Sequence, residues 1–166
     1  MRHTGATAPA MMIALALLTA VGVREPLGVW QRWAALREGP GARCFAIARP
    51  LRRDGTTDRR GGYALIAARQ GMTRAPSVRF HLSKPRGAGA PLTLVIGDRR
   101  FALGGDGLEA RAGDAATDRA IVGAIRGAAA MTLATLDAAG RTLADTYPLA
   151  GAATAIDAAQ LGCARG

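Results

Sequence analysis

Two cysteines and one histidine are the residues of this sequence with the clearest potential for chemistry. Cys44 lies in the stretch ARCFAIARP, Cys163 ends an alanine-rich stretch, and His81 is the only histidine beyond position 3. A cysteine paired with a histidine can act as a nucleophile with its base, provided that the thiol is exposed and activated. The same two cysteines can instead form a disulfide in a protein that leaves the reducing cytosol.

The first 22 residues favour export. Arg2 and His3 form a basic start, and an uncharged apolar run of thirteen residues follows from Met11 to Val23. A bilayer-spanning helix needs about twenty apolar residues, so this run is typical of a secretory signal peptide rather than of an anchor, which is the alternative. We therefore interpret residues 1–22 as a signal peptide and residues 23–166 as one domain with no transmembrane segment. The predicted location is periplasmic or secreted.

Export makes a structural disulfide the favoured use of the two thiols. Cys44, Ala46 and Ala48 alternate with Phe45, Ile47 and Arg49, as in a largely buried strand. The stretch before Cys163 predicts a helix, and spacings of three and four place six of its residues near one inward face. These six are Leu149, Ala152, Ala153, Ile156, Gln160 and Cys163. A Cys44–Cys163 disulfide would tie this helix to an early strand, with a catalytic Cys44 using His81 as base as the alternative.

Short strands separated by turn signals dominate the rest of the chain. Strands are predicted at residues 29–37, around Cys44 to Pro50, and at 63–69, 77–83, 92–96 and 100–103. Asp114 or Thr117 can cap a helix that runs to about Ala128 with Ile121, Val122 and Ile125 inside, and a hairpin turning at Ala139–Gly140 precedes the terminal helix. The order predicts an α+β, mostly β fold: a small antiparallel β-sandwich or open barrel with two short helices packed on it.

Positive charge is concentrated in the front half of the chain. The net charge is +10, and residues 24–100 hold sixteen basic and five acidic residues whereas residues 101–166 hold five and seven. The most basic stretch is the predicted loop LRRDGTTDRRGG, with Arg52, Arg53, Arg59 and Arg60. These four arginines are candidate contacts for an anionic envelope or host-surface component, namely a lipid headgroup, a polysaccharide or a protein. A solvated loop is the alternative.

Other ligands and reactions find little support in the sequence. Aromatic residues make up 4% of the chain and no nucleic-acid-binding motif is present, which argues against a nucleic-acid partner. No G-x-S-x-G motif occurs, His81 falls on the polar, solvent-facing side of its strand, and we expect no metal site and no cofactor. The carboxylates Asp98, Glu109, Asp137 and Asp145 have no spacing that predicts a catalytic pair.

One family resemblance emerges from the C-terminal part of the chain. The stretch DTYPLAGAATAIDAAQLGC, residues 145–163, resembles the ending of the invasion-associated locus B family of exported bacterial proteins, as does DGLEARAGDAATDRAIVGAIRGAAAMTLAT before it. Pro148 stands where that family usually has serine, and Ala152 where it usually has an aromatic residue. The resemblance implies an exported accessory domain without enzymatic activity, and it supplies no catalytic residues. The alternative is a small periplasmic hydrolase whose site has no recognised motif.

The signal-peptide prediction can be checked on the native protein. We expect the mature chain to begin at Val23, because Ala20-Val21-Gly22 is the best small-x-small cleavage site. N-terminal sequencing of the protein from periplasm or culture medium measures this directly. Recovery from the cytoplasm with Met1 in place would contradict export.

Overall fold

The computed structural model describes residues 24–39, 43–52, 54–58, 61–68 and 76–164. The predicted signal peptide lies outside the described residues. The described elements are, in chain order, β1 (Arg24–Trp30), β2 (Trp33–Glu38), β3 (Arg43–Ala48), β4 (Tyr63–Ala68), β5 (Ser77–His81), β6 (Thr93–Ile96), β7 (Arg99–Ala102), β8 (Glu109–Arg111), α1 (Ala115–Ile125), β9 (Ala130–Leu136), β10 (Thr142–Pro148) and α2 (Ala152–Ala164).

Two antiparallel sheets form a small open sandwich. The larger sheet has six strands in the order β1-β2-β3-β4-β5-β8, and the smaller has four in the order β10-β9-β6-β7. Isolated bridges between Leu51 and Thr146 and between Gly104 and Arg111 link segments of the two sheets. The prediction of a mostly β, α+β sandwich with two helices is confirmed.

Side chains on the inner face of the six-stranded sheet build the core. In β4 the buried residues Ala64, Ile66 and Ala68 alternate with the less buried Tyr63 and Leu65. Part of this inner face packs against the four-stranded sheet, and other parts of the same face pack against the two helices. Trp33, fully buried on β2, donates its indole N–H to the carbonyl of Pro148 on β10 at 2.8 Å. This hydrogen bond joins the two layers through the centre of the core.

The first predicted strand is wrong, because residues 29–37 form part of a hairpin rather than one strand. Trp30 of β1 pairs with Trp33 of β2, and Gln31 and Arg32 form the turn between them. Gln31 has φ +55°, which the first central residue of such a two-residue turn requires. Glycine, asparagine or aspartate usually marks this position, so the sequence Gln-Arg gives no turn signal.

Helix α1 is capped by Asp114, one of the two predicted caps, and runs from Ala115 to Ile125. The Asp114 carboxylate accepts a hydrogen bond from the Thr117 backbone N–H at 2.7 Å, as an N-cap does. Ile121, Val122 and Ile125 are buried, as predicted. Arg126, just past the end, binds the Asp157 carboxylate of α2 through both terminal nitrogens, at 2.5 and 3.2 Å, and this hydrogen bonding lowers the pKa of Asp157.

Four of the six residues predicted to face inward around helix α2 are buried. These are Leu149, Ala152, Ile156 and Cys163, whereas Gln160 is exposed and Ala153 is only half-buried. Ala155 and Ala159 complete the buried face of the helix. Gly151 enters the helix with φ +86°, and a Cβ there would lie 2.3 Å from the carbonyl oxygen of Trp30.

The predicted disulfide between Cys44 and Cys163 is present. It joins β3 to the last turn of α2, with the two Cα atoms 5.7 Å apart and a sequence separation of 119. Both cysteines lie in a small core cluster with Ala35, Ala68 and Ala159, apart from the main core. The bridge thus fixes α2 on the inner face of the six-stranded sheet.

Removing this bridge should lower stability substantially. We expect Cys44→Ala with Cys163→Ala to lose about 3 to 5 kcal/mol of unfolding free energy, because the bond closes a long loop and restricts the unfolded chain. Urea unfolding measures the loss, with the wild type under reductant as a parallel sample. Titration of the unreduced, denatured wild type should detect no thiol, and two reactive thiols per chain would refute the bridge.

The contact between Gly151 and the β1–β2 hairpin gives a second test. We expect Gly151→Ala to destabilise by about 3 kcal/mol or more, because the new methyl group meets the Trp30 carbonyl in addition to the strained φ. Gly140→Ala is the matched control, since Gly140 has φ +74° but open space around it, and should cost about 1 kcal/mol. Equal losses in thermal unfolding would show that α2 does not approach the hairpin this closely.

Candidate functional site

The predicted basic loop is only partly described. Arg52 is exposed, whereas Arg53, Arg59 and Arg60 lie outside the described residues. Leu51 donates its N–H to the Thr146 carbonyl at 2.8 Å, so the start of the loop is attached to β10. Hydrogen bonds from the Thr56 hydroxyl and backbone N–H, with a smaller contribution from the Arg52 charge, lower the pKa of Asp54 beside it. The proposed role of the four arginines stays a prediction.

A second basic group lies on the outer face of the six-stranded sheet, the face turned away from the core. Arg79 of β5 and Arg111 of β8 are direct cross-strand partners, and both are exposed. Side chains in such positions have Cβ atoms only about 5 Å apart. Among the described residues, no carboxylate forms an ion pair with either guanidinium. Two cations therefore face solvent side by side, and neither is in an ion pair with a described residue.

More arginines surround the same face. Arg43 at the start of β3 and Arg49 just after it are exposed, and Arg24 of β1 lies across from Glu38 of β2. Glu38 accepts a hydrogen bond from Arg24 at 2.9 Å and lies 3.9 Å from Arg43, and the Arg24 bond is the main cause of its lowered pKa. One carboxylate thus serves two arginines, which leaves this edge of the face positive.

His81 occupies a more structured position than the sequence predicts. It is half-buried rather than simply solvent-facing: its Nδ1 lies 2.7 Å from a carboxylate oxygen of Glu109, and its ring stacks on Tyr63 with centroids 5.2 Å apart. Cross-strand pairing puts Tyr63, His81 and Glu109 in one row of the outer face. Cys44 lies on the inner face and is bonded to Cys163, so the proposed Cys44–His81 catalytic pair is refuted.

The remaining candidate carboxylates serve the fold at separate places. Asp137 accepts hydrogen bonds from the backbone N–H groups of Ala139 and Arg141 in the β9–β10 turn, which lower its pKa. Asp145 is buried on β10 and accepts the backbone N–H and the hydroxyl of Ser83, at 2.8 and 2.5 Å. Asp98 lies in the β6–β7 turn.

Tyr147, Asp58 and Asp145 are buried polar residues that the sequence analysis did not predict as a group. Tyr147 is fully buried, and Asp58 and Asp145 are each 2% exposed. Burial, and after it the charges of Asp145 and Asp58, raise the pKa of Tyr147 far above its ordinary value, so the hydroxyl stays protonated. The alternation of Leu143, Asp145 and Tyr147 along β10 is the signal that places Asp145 inside.

A surface groove of about 710 Å³ lies between the β6–β7 turn and the segment from α1 to β9. Glycines and alanines such as Gly123, Gly127 and Ala128 form much of its wall. Its one basic group, Arg99, lies over the Phe101 ring and points a terminal nitrogen toward the Ala120 carbonyl at 3.4 Å. The groove therefore offers few polar groups to orient a substrate.

Two kinds of feature are absent from the described residues, a metal-ligand cluster and a membrane-spanning helix. No three His, Cys, Asp or Glu side chains there are grouped so that they could hold a metal ion. Neither described helix has the length and apolar character needed to cross a bilayer.

Comparisons with known proteins give a likeness in fold. No family model matches the sequence, and no curated protein matches it. The crystal structure of invasion associated protein B from Bartonella henselae matches with a TM-score of 0.55 and 14% identity, over 80% of this chain and 92% of that one. The chain therefore shares the fold of that protein, in agreement with the resemblance of its C-terminal stretch at the level of structure.

Proposed function

We propose that this chain is an exported binding protein of the cell envelope that contacts an anionic partner and catalyses no reaction. The cross-strand pair Arg79–Arg111 carries the proposal. Like charges directly opposite each other destabilise a sheet, so this pair is unfavourable in the isolated protein. A phosphate, sulfate or carboxylate group bound between the two guanidinium groups would remove the repulsion and form charge-assisted hydrogen bonds.

Export is supported by the leader and by the chemistry of sulfur. The basic and apolar pattern of the first 22 residues is typical of a signal peptide, and the Cys44–Cys163 bond belongs to an oxidising compartment. The likeness to invasion associated protein B supports an accessory protein of that general type. The proposed anionic partner is a component of the envelope or of a host surface.

A periplasmic hydrolase is the second candidate. His81 and Glu109 form the kind of pair in which a carboxylate orients a histidine base. Cys44, the nucleophile first considered for it, is in the disulfide on the opposite face of the sheet. The binding function is therefore the better supported of the two.

Binding to a polyanion tests the proposal. The probe is immobilised dextran sulfate, and the measurement is the salt concentration that elutes the protein. We expect the double variant Arg79→Gln, Arg111→Gln to elute at lower salt than Arg100→Gln, Arg119→Gln, in which two exposed arginines elsewhere on the surface lose the same charge. Arg52→Gln with Arg53→Gln tests the loop in the same way.

Stability provides an independent readout for the same variants. Arg79→Gln should leave the melting temperature unchanged or raise it, because it relieves the repulsion from Arg111.

Elution that depends only on net charge, equal for all three double variants, would contradict a specific anion-binding surface.

A further inference from the structure

The outer face of the six-stranded sheet combines an apolar surface with arginines, and we propose that it docks on the surface of an anionic lipid bilayer. The inference rests on the proposed function and names its anionic partner as lipid headgroups. It involves residues that the sequence prediction did not single out, on four neighbouring strands.

The apolar part of this face is continuous across β1 to β4. Cross-strand pairing places Val29, Ala34, Ile47 and Leu65 in one row, and Leu36, Phe45 and Ala67 in the next. We call these seven residues the apolar patch. Adjacent strands lie about 4.8 Å apart, so the patch extends roughly 14 Å across the sheet. Val29 is 69% exposed, Ala34, Leu36, Ile47, Leu65 and Ala67 are half-buried, and Phe45 is buried at 6% exposure.

The apolar patch lies outside both core clusters of the described chain. Helix α2 is bonded through Cys163 to Cys44, an inner residue of β3, and its buried residues face that inner side. An apolar sheet face that lies outside the core and exposes Val29 is a site for an apolar partner.

The border of the apolar patch is positively charged. The row of Val29, Ala34, Ile47 and Leu65 continues directly into Arg79 and Arg111. The other exposed arginines of the border are Arg24, Arg43 and Arg49. The carboxylates on this face are Glu38, bound to Arg24, and Glu109, bound to His81, so the described arginines of the border outnumber them.

A bilayer with anionic lipids matches both properties of this surface. Lipid phosphates lie at the level of a cationic border, and the acyl region beneath them can receive an apolar centre. A polysaccharide supplies the charge but no comparable apolar surface. Each arginine near an anionic leaflet contributes about 1 kcal/mol, which is about a five-fold change in partitioning. Binding by five arginines is therefore measurable without deep insertion of the sheet.

Vesicle binding of the purified protein, in the form its own cell produces, tests the proposal. The probes are vesicles of phosphatidylcholine alone and vesicles of equal parts phosphatidylcholine and phosphatidylglycerol, and the measurement is the bound fraction after sedimentation. We expect binding to the mixed vesicles that weakens as salt is raised. Arg79→Gln with Arg111→Gln should lower the partition coefficient about 25-fold, and Arg100→Gln with Arg119→Gln less than about five-fold.

The apolar patch is tested by a second pair of variants. Val29 on the patch and Leu161 on the solvent side of α2 are both large, apolar and exposed, at 69% and 59%. Val29→Asp should weaken vesicle binding several-fold more than Leu161→Asp. Val29→Trp should strengthen it while Leu161→Trp does not, because tryptophan favours the interface. Melting temperatures identify any variant that fails to fold, and the tryptophan pair keeps the test decisive in that case.

The outcomes separate this inference from the proposed function. Failure of both dextran sulfate and mixed vesicles to bind would overturn both. Binding to dextran sulfate through Arg79 and Arg111 without binding to mixed vesicles would keep the anionic partner and exclude the bilayer. Equal effects of the Val29 and Leu161 variants would also overturn membrane docking through the apolar patch.

Discussion

The bond between Cys44 and Cys163 holds helix α2 against one face of the large sheet. It attaches α2 to the inner side of β3, where small residues such as Ala35 and Ala159 let the helix lie close to the strands. The four-stranded sheet occupies the rest of that inner side. The helices and the second sheet pack on this inner face. The apolar patch on the outer face of β1 to β4 lies outside both core clusters of the described residues.

The outer face gives the fold its two chemical characters. Arg79 and Arg111 stand opposite each other at one end, and apolar side chains of four strands form the other. The acidic residue nearest to the pair along β8 is Glu109, and it is bound to His81 instead of to an arginine, although exposed like pairs are unfavourable. The pair is more readily explained by a ligand than by folding, as is usual where a local rule is broken without a structural gain.

Sequence reasoning located most elements but missed what depends on three-dimensional pairing. The alternation of Val78 and Phe80 with Ser77 and Arg79 predicted β5, and the two cysteines predicted the bridge. The hairpin at Gln31 was missed because its turn carries no glycine or asparagine. The position of Arg111 opposite Arg79 could not be predicted, since β8 is only three residues long and its partner strand is far away in sequence. The apolar patch did leave a signal: β3 and β4 are apolar at nearly every position, as strands covered on both faces are.

The two halves of the bridge lie near opposite ends of the described chain. All ten described strands precede Cys163, whose sequence separation from Cys44 is 119. In the export that we propose, the thiol of Cys44 emerges before its partner, so the bond can close only after the segments that form all ten described strands have emerged.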